Sequence, residues 1–200
     1  MKKIEVPLFP LHTVLYPGGP LPLRVFEARY LDMISHCLKS ETNFGVVLIR
    51  EGKETGPVTM HEVGTLARIT DWYQGSDGLL GVTAIGEKRF RLLANSCRTD
   101  GLHVGEIEIL DEMKYMPLPK EFAGLAKILA GVLGDLGKLY ESLGDRYDDA
   151  GWVGCRFAEI LPIDSAGKQW CLETNDPIER LRLVRKILQT VRGDEKIADA

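Results

Sequence analysis

Met116-Pro117-Leu118-Pro119 divides a chain of 200 residues into two stretches of different character. Its two prolines fix φ and lack backbone donors, and each pushes the residue before it toward an extended conformation. A strand therefore stops here and a helix does not cross. Upstream lie short runs rich in Val, Ile, Leu and Phe, separated by turn residues; downstream, apolar residues recur with helical period. Strands first and helices afterwards predict an α+β chain, with residues 1–116 a β-barrel subdomain and residues 117–200 a helical one.

Reading upstream from the linker, residues 103–109 alternate in strand fashion after the turn signal Asp100-Gly101. Residues 63–72 and 79–85 flank Gln74-Gly75-Ser76-Asp77-Gly78, a loop of hairpin type. The polar stretch Gly86-Glu87-Lys88-Arg89 then reads as a break before another strand at 90–93. Residues 44–49 form a nearly continuous apolar run, expected of a central strand. Residues 4–8 alternate around Ile4, Val6 and Leu8. Residues 21–25 read as an edge strand, because Pro22 cannot donate to a ladder. The period then switches: Phe26, Tyr30, Ile34 and Cys37 share one face of a helix expected over 27–39. Six or seven short strands with one helix predict a small, strongly bent barrel.

Downstream, residues 122–143 carry amphipathic spacing, yet Gly124, Gly131, Gly134 and Gly137 interrupt it, each at about 1 kcal/mol relative to Ala in a helix interior. The glycines imply either close approach of a neighbour or a broken helix, and close packing is the favoured expectation. A second helix is expected over 148–160, ended by Pro162, and a third from Ser165, with Ser165 as its N-cap. The last has the clearest start signal: Asp176 as N-cap, Pro177 at the first position and Glu179 completing a capping box. Its stripe is Leu181, Val184, Leu188 and Val191, and residues 193–200 form a polar tail.

With 25 Lys+Arg against 29 Asp+Glu the formal charge is −4, which argues against a dedicated nucleic-acid binder. No run reaches the ~18 apolar residues of a membrane span. Met1-Lys2-Lys3 imitates a signal peptide, but Glu5, Pro7, Pro10 and His12 interrupt the apolar segment it needs, so a cytoplasmic protein is expected. The cysteines at 37, 97, 155 and 171 form no Cys-x-x-Cys pair and imply neither zinc nor a redox dithiol. Gly81-Val82-Thr83-Ala84-Ile85-Gly86-Glu87-Lys88 resembles a phosphate loop, except that Glu87 stands where lysine is required. His61-Glu62 lacks the second histidine of a zinc-protease helix. Ser165-Ala166-Gly167-Lys168 has acyl-enzyme spacing without its companion motifs. No catalytic residue, metal site or cofactor is therefore assigned. Arg24, Arg29, Lys88, Arg89 and Arg91, with Phe26, Tyr30 and Phe90, could form a basic and aromatic patch for single-stranded RNA. The same residues also fit the water-facing side of amphipathic strands.

Pro7-Leu8-Phe9-Pro10-Leu11, Val14-Leu15-Tyr16-Pro17-Gly18 and the segment from Leu21 to Tyr30 together resemble the opening of the Lon N-terminal, substrate-binding domain. Phe44-Gly45-Val46-Val47-Leu48-Ile49, Val63-Gly64-Thr65-Leu66-Ala67 and Gly86-Glu87-Lys88-Arg89-Phe90 continue the resemblance in order. Leu161-Pro162, Lys168-Gln169 and Glu179-Arg180-Leu181 extend it into the helical part. The resemblance implies a PUA-like pseudo-barrel followed by a helical bundle, of bacterial type. It also implies a non-catalytic module for unfolded or client proteins and peptides, with no ATPase or protease part of its own and a possible protease or chaperone partner. The same fold leaves RNA binding as the alternative. Arg24, Phe26, Glu27, Arg29 and Tyr30 form the candidate binding segment. Within it, ion pairing at the strand–helix corner is the expected role of Arg24, Glu27 and Arg29, and core packing that of Phe26 and Tyr30. Apolar burial and strand addition at a free edge are the means such a module would use.

Overall fold

The computed structural model describes residues 3–53, 58–141 and 143–198, and their side chains except at 141 and 191–198. It divides into two compact units, residues 1–112 and 113–200.

The first unit is built from β1 (Ile4–Leu11), β2 (Pro20–Val25), α1 (Ala28–Ser40), β3 (Phe44–Gly52), β4 (Val58–Gln74), β5 (Leu80–Cys97) and β6 (His103–Ile109). The order is β2-β5-β4-β3-β1-β6, and a further pairing joins β6 back to β5. Five strands thus close a ring. β2 lies outside it, paired with the first part of β5 from Leu80 to Ile85, whereas β6 pairs with β5 from Phe90 to Cys97. β1 and β3 are parallel and every other pairing is antiparallel.

Alternation along the strands sorts the apolar residues into two clusters. Val6, Leu8, Val47, Met60, Phe90 and Ile107 pack together. Phe9, Leu11, Phe44, Val46, Val82 and Ala84 belong to the other, where α1 buries Tyr30, Met33, Ile34 and Cys37. Phe90 is accommodated because Gly64 faces it: a Cβ there would stand 2.6 Å from Phe90 Cζ and 2.5 Å from the Val46 carbonyl oxygen.

The break expected at Gly86-Glu87-Lys88-Arg89 is instead continuous strand within β5. Gly86 donates to Gly19 O at 2.9 Å and accepts from Gly18 N at 2.7 Å, so its glycine serves contact with a loop rather than a turn. Arg89 is buried and pairs in register with Thr65. Helix α1 starts at Ala28, leaving Phe26 on the β2–α1 connection and off the expected helical face.

In the second unit a 3-10 turn, Lys120–Phe122, leads into α2 (Ala123–Leu136). There follow α3 (Lys138–Glu141), α4 (Ala150–Ile160), α5 (Ser165–Glu173) and α6 (Pro177–Ala198). The prolines at 117 and 119 belong to this unit: Met116 O accepts from Ala150 N at 2.8 Å, and Leu118 N donates to Asp148 O at 2.7 Å. These bonds tie the proline stretch to the start of α4, and the division between units falls ahead of it.

The single helix expected over 122–143 is interrupted at Gly137, whose φ of 66° ends α2; Ser142 lies outside the described residues. A Cβ at Gly124, Gly131 or Gly134 would meet nothing within 4 Å, so these glycines face open space and the expected close packing is absent. Phe122, Leu125, Leu129, Trp152, Phe157, Leu181 and Val184 form the core. The Asp164 carboxylate, not Ser165, caps α5, accepting from Gly167 N at 2.7 Å; a hydroxyl already inside the first turn cannot take that place. Asp149 caps α4, and Asp176 accepts from Ile178 N at 2.8 Å, as the sequence predicts for α6. The α6 backbone continues through Gly193 to Ala198; the Val191 side chain and residues 199–200 lie outside the described part.

Candidate functional site

Arg29, Asp32, Met33 and His36 follow one another at i, i+3, i+4 and i+7 and so form one stripe of α1. This stripe lines a cleft of about 370 Å³, together with Glu5, Val6 and Pro7 of β1, Arg98, Asp100 and Leu102 of the β5–β6 connection, and Val104 of β6. The volume lies in the range of small-ligand pockets, roughly 300–1,000 Å³. Val6, Pro7, Met33, Leu102 and Val104 supply apolar surface, and the remaining lining residues are ionisable.

Arg29 organises one wall. Its Nε donates to Glu27 Oε2 at 3.0 Å, and its Nη1 donates to Gly101 O at 2.7 Å. Its guanidinium lies 4.5 Å from the centroid of Tyr30, which stacks on Phe9 with centroids 3.9 Å apart. Gly101, at φ +83°, makes the turn that presents its carbonyl to Arg29. Asp100 Oδ1 accepts from Leu102 N at 3.0 Å, and Arg98 pairs with Asp100 at 3.0 Å. The neighbouring His103 is buried, and burial with the Arg29 charge holds its imidazole below the ordinary value of 6.5.

The five candidate residues of the β2–α1 segment therefore have different surroundings. Glu27 and Arg29 form the corner ion pair. Arg24 does not join them but pairs with Asp77 in the β4–β5 loop, because β2 runs beside that hairpin. Tyr30 is core, only 2% exposed, whereas Phe26, expected in the core, is 63% exposed because it precedes the helix. Asp32, Met33 and His36 join Arg29 at the cleft. Sequence reasoning missed these three, although the mixed charge of their helical stripe was a signal that could have found them; Glu5, Arg98 and Leu102 arrive from distant segments and had none.

Several strand stretches are bonded on one side only, including residues 4–7 of β1 and 49–52 of β3, and two others are guarded. β2 pairs only with β5, and Pro20 and Pro22 deprive it of donors. β4 pairs with β3 only as far as Ala67, which leaves residues 68–74 bonded on one side, with Trp72 60% and Tyr73 53% exposed. Here the Asp71 carboxylate accepts from the Trp72 amide at 2.8 Å, occupying a donor that an added strand would need. Strand addition is thus opposed at these two edges.

The other sequence motifs are used structurally. Residues 81–88 lie in β5, where Glu87 accepts from Asn43 Nδ2 at 2.7 Å and from Arg68 Nε at 2.7 Å. Lys168 Nζ donates to Glu159 O at 2.9 Å, tying α5 to the end of α4. Arg180 is fully buried and donates through Nε to Cys171 O at 2.8 Å and through Nη2 to Thr174 O at 2.5 Å, capping the C-terminal end of α5. Burial pushes the Glu159 carboxyl up to about 8, with Arg156, 2.7 Å away, and Lys168 pulling it back. The basic and aromatic patch assembles only in part: Arg89, Tyr30 and Phe90 are buried, Arg24, Arg29 and Lys88 take ion pairs, and Arg91 and Phe26 are exposed. Among the described residues no three His, Cys, Asp or Glu side chains converge as a metal site, and no helix is long and apolar enough to cross a membrane.

The model of one protein family, the ATP-dependent protease La (LON) substrate-binding domain, matches residues 5–190. The Lon protease of Anaeromyxobacter dehalogenans is 24% identical over 97% of the chain, and that of Escherichia coli K12 is 25% identical over 94%. The chain spans about a quarter of the length of these curated relatives, 24% and 25% respectively. A crystal structure of a Lon N-terminal domain protein from Xanthomonas campestris superposes with a TM-score of 0.76 at 36% identity, covering 92% of this chain and 98% of that one. The N-terminal domain of a Mycobacterium avium complex Lon protease shares the fold, with a TM-score of 0.62 at 17% identity, over 92% of this chain and 97% of that one.

Proposed function

The chain belongs to the family of Lon substrate-binding domains, and from that premise we propose that it captures unfolded or client polypeptides without cutting them. The observation that carries this reading is the cleft of the first unit, whose apolar floor is bordered by charged side chains. Such a cleft holds one or two apolar side chains of an extended segment. Burying a leucine- or phenylalanine-sized side chain contributes roughly 1.5–3 kcal/mol. One site therefore binds weakly and releases readily, which suits a module that hands its client to a protease or chaperone in the cytoplasm.

Arg29 shapes this site through the Gly101 turn, with Glu27 holding its guanidinium and Tyr30 supporting it from below. Phe26, exposed on the β2–α1 connection, adds an apolar contact outside the cleft, and Arg24 borders that contact. Catalysis is assigned to none of these residues. RNA binding is disfavoured by the burial of Arg89, Tyr30 and Phe90 and by the ion pairs of Arg24, Arg29 and Lys88, which leave only Arg91 and Phe26 of that set exposed and unpaired among the described residues.

The test is titration of the full chain, by fluorescence anisotropy, with a labelled, permanently unfolded protein, the same protein in its native form, and single-stranded RNA. Binding of the unfolded form, with no binding of the native form or of RNA, is the expected result. Retention of RNA with a steep loss of affinity as salt rises would instead place the protein among nucleic-acid binders.

A further inference from the structure

We infer that the cleft selects segments in which an apolar side chain stands next to a lysine or arginine. This selectivity rests on the capture reading given above and specifies the chemistry of the client.

The argument is one of charge complementarity around an apolar floor. The cleft is lined by two arginines, three acids and His36. Both arginines are already committed: Arg29 to Glu27 at 2.8 Å and to the Gly101 carbonyl, and Arg98 to Asp100 at 3.0 Å. The third acid, Asp100, is consumed in that second pair. Glu5 and Asp32 remain, both exposed, and neither takes an ion pair among the described residues. Glu106, which faces Glu5 in the β1–β6 register, is balanced by Lys3 at 2.6 Å. The uncompensated charge of the cleft is therefore negative.

Glu5 and Asp32 line the same cleft, and charges within a Debye length of one another, roughly 8 Å at physiological salt, are only partly screened. A cation seated in the cleft is thus within reach of both carboxylates, whereas a client carboxylate is repelled by both. The floor residues Met33 and Leu102 are buried, so the apolar part of a client side chain rests against them while its charged end stays at the rim. Lysine and arginine, with long apolar stems, can themselves satisfy both requirements.

The experiment uses three labelled peptides with one apolar core, flanked by Lys, Gln or Glu, titrated against the full chain and against the double variant Glu5→Gln, Asp32→Asn. Both substitutions replace exposed carboxylates by amides of the same shape, so the fold is retained. The Lys peptide is expected to bind about tenfold more tightly than the Glu peptide in low salt, with the preference falling to about twofold in high salt. In the double variant the Lys and Glu peptides are expected to bind equally, the ratio of their affinities being the readout. Equal binding of the three peptides, or a preference that survives in the double variant, overturns the selectivity and leaves capture standing. Failure of all three to bind the unaltered chain overturns both.

Discussion

In the helical unit Arg156 and Arg180 are completely buried, and their guanidinium groups donate to the Glu159 carboxyl group and to the last carbonyls of α5. In the β unit, by contrast, Glu5, Asp32, Arg98 and Asp100 around the cleft keep their charge at the surface while the strand ladders close the fold. Helix ends leave carbonyls that something must satisfy, whereas a closed ring of strands satisfies its own. The helical unit therefore needs its charges inside, and the β unit can leave carboxylates free for another molecule. Residues that carry the family resemblance divide along the same line. Lys168 and Arg180 tie helices together, while Arg29 stands at a cleft.

The comparison breaks most sharply at Arg180. Arg180→Ala orphans the Cys171 and Thr174 carbonyls and opens a cavity, and should cost the helical unit about 3–5 kcal/mol. Chemical denaturation followed by the fluorescence of Trp152 and Trp170 measures this; a change below 1 kcal/mol would deny the cap its role. Peptide binding by the β unit should persist.

A next-largest effect is expected at Gly64. A methyl group there meets the Val46 carbonyl and Phe90 at 2.5 and 2.6 Å, so Gly64→Ala should destabilise by about 1–3 kcal/mol. Gly131→Ala, at a helical site with nothing within 4 Å, should instead stabilise by about 0.5–1 kcal/mol. Thermal unfolding of the two variants tests this opposition, which would fail if both moved in the same direction.

Acidity separates the units in sign. His103 resists protonation in the folded β unit, so its contribution is complete above the ordinary 6.5 and is lost as pH falls below that value. Glu159 is raised from 4.5 to about 8. Its contribution is complete below about pH 4.5 and is lost as pH rises through 8. The stability of the full chain should therefore decline toward both acid and alkali. His103→Gln should flatten the acid side and Glu159→Gln the alkaline side, each without altering the other; movement of both limbs in either variant would refute the assignment.

Sequence patterns were legible where a local rule decided the outcome. Pro22 on an edge strand, the apolar run of β3 and the Asp176-Pro177 start of α6 all depend on neighbours within a turn or two. They misled where a residue answered to a distant contact. Gly86 looked like a turn because its glycine is required by the loop at 16–19, and Phe26 looked like core because its spacing matched a helix that starts two residues later. The cleft was legible only in its α1 wall. Its other walls come from β1 and from the β5–β6 connection, which only closure of the barrel brings to α1.

The central claim, that clients are held in the cleft of the β unit, is tested most directly by hydrogen–deuterium exchange of the full chain with and without a saturating apolar peptide flanked by lysine. Protection confined to residues 5–7, 29–36 and 98–104 is the predicted result. Protection confined to the helices between 123 and 190, with the cleft unchanged, would contradict it.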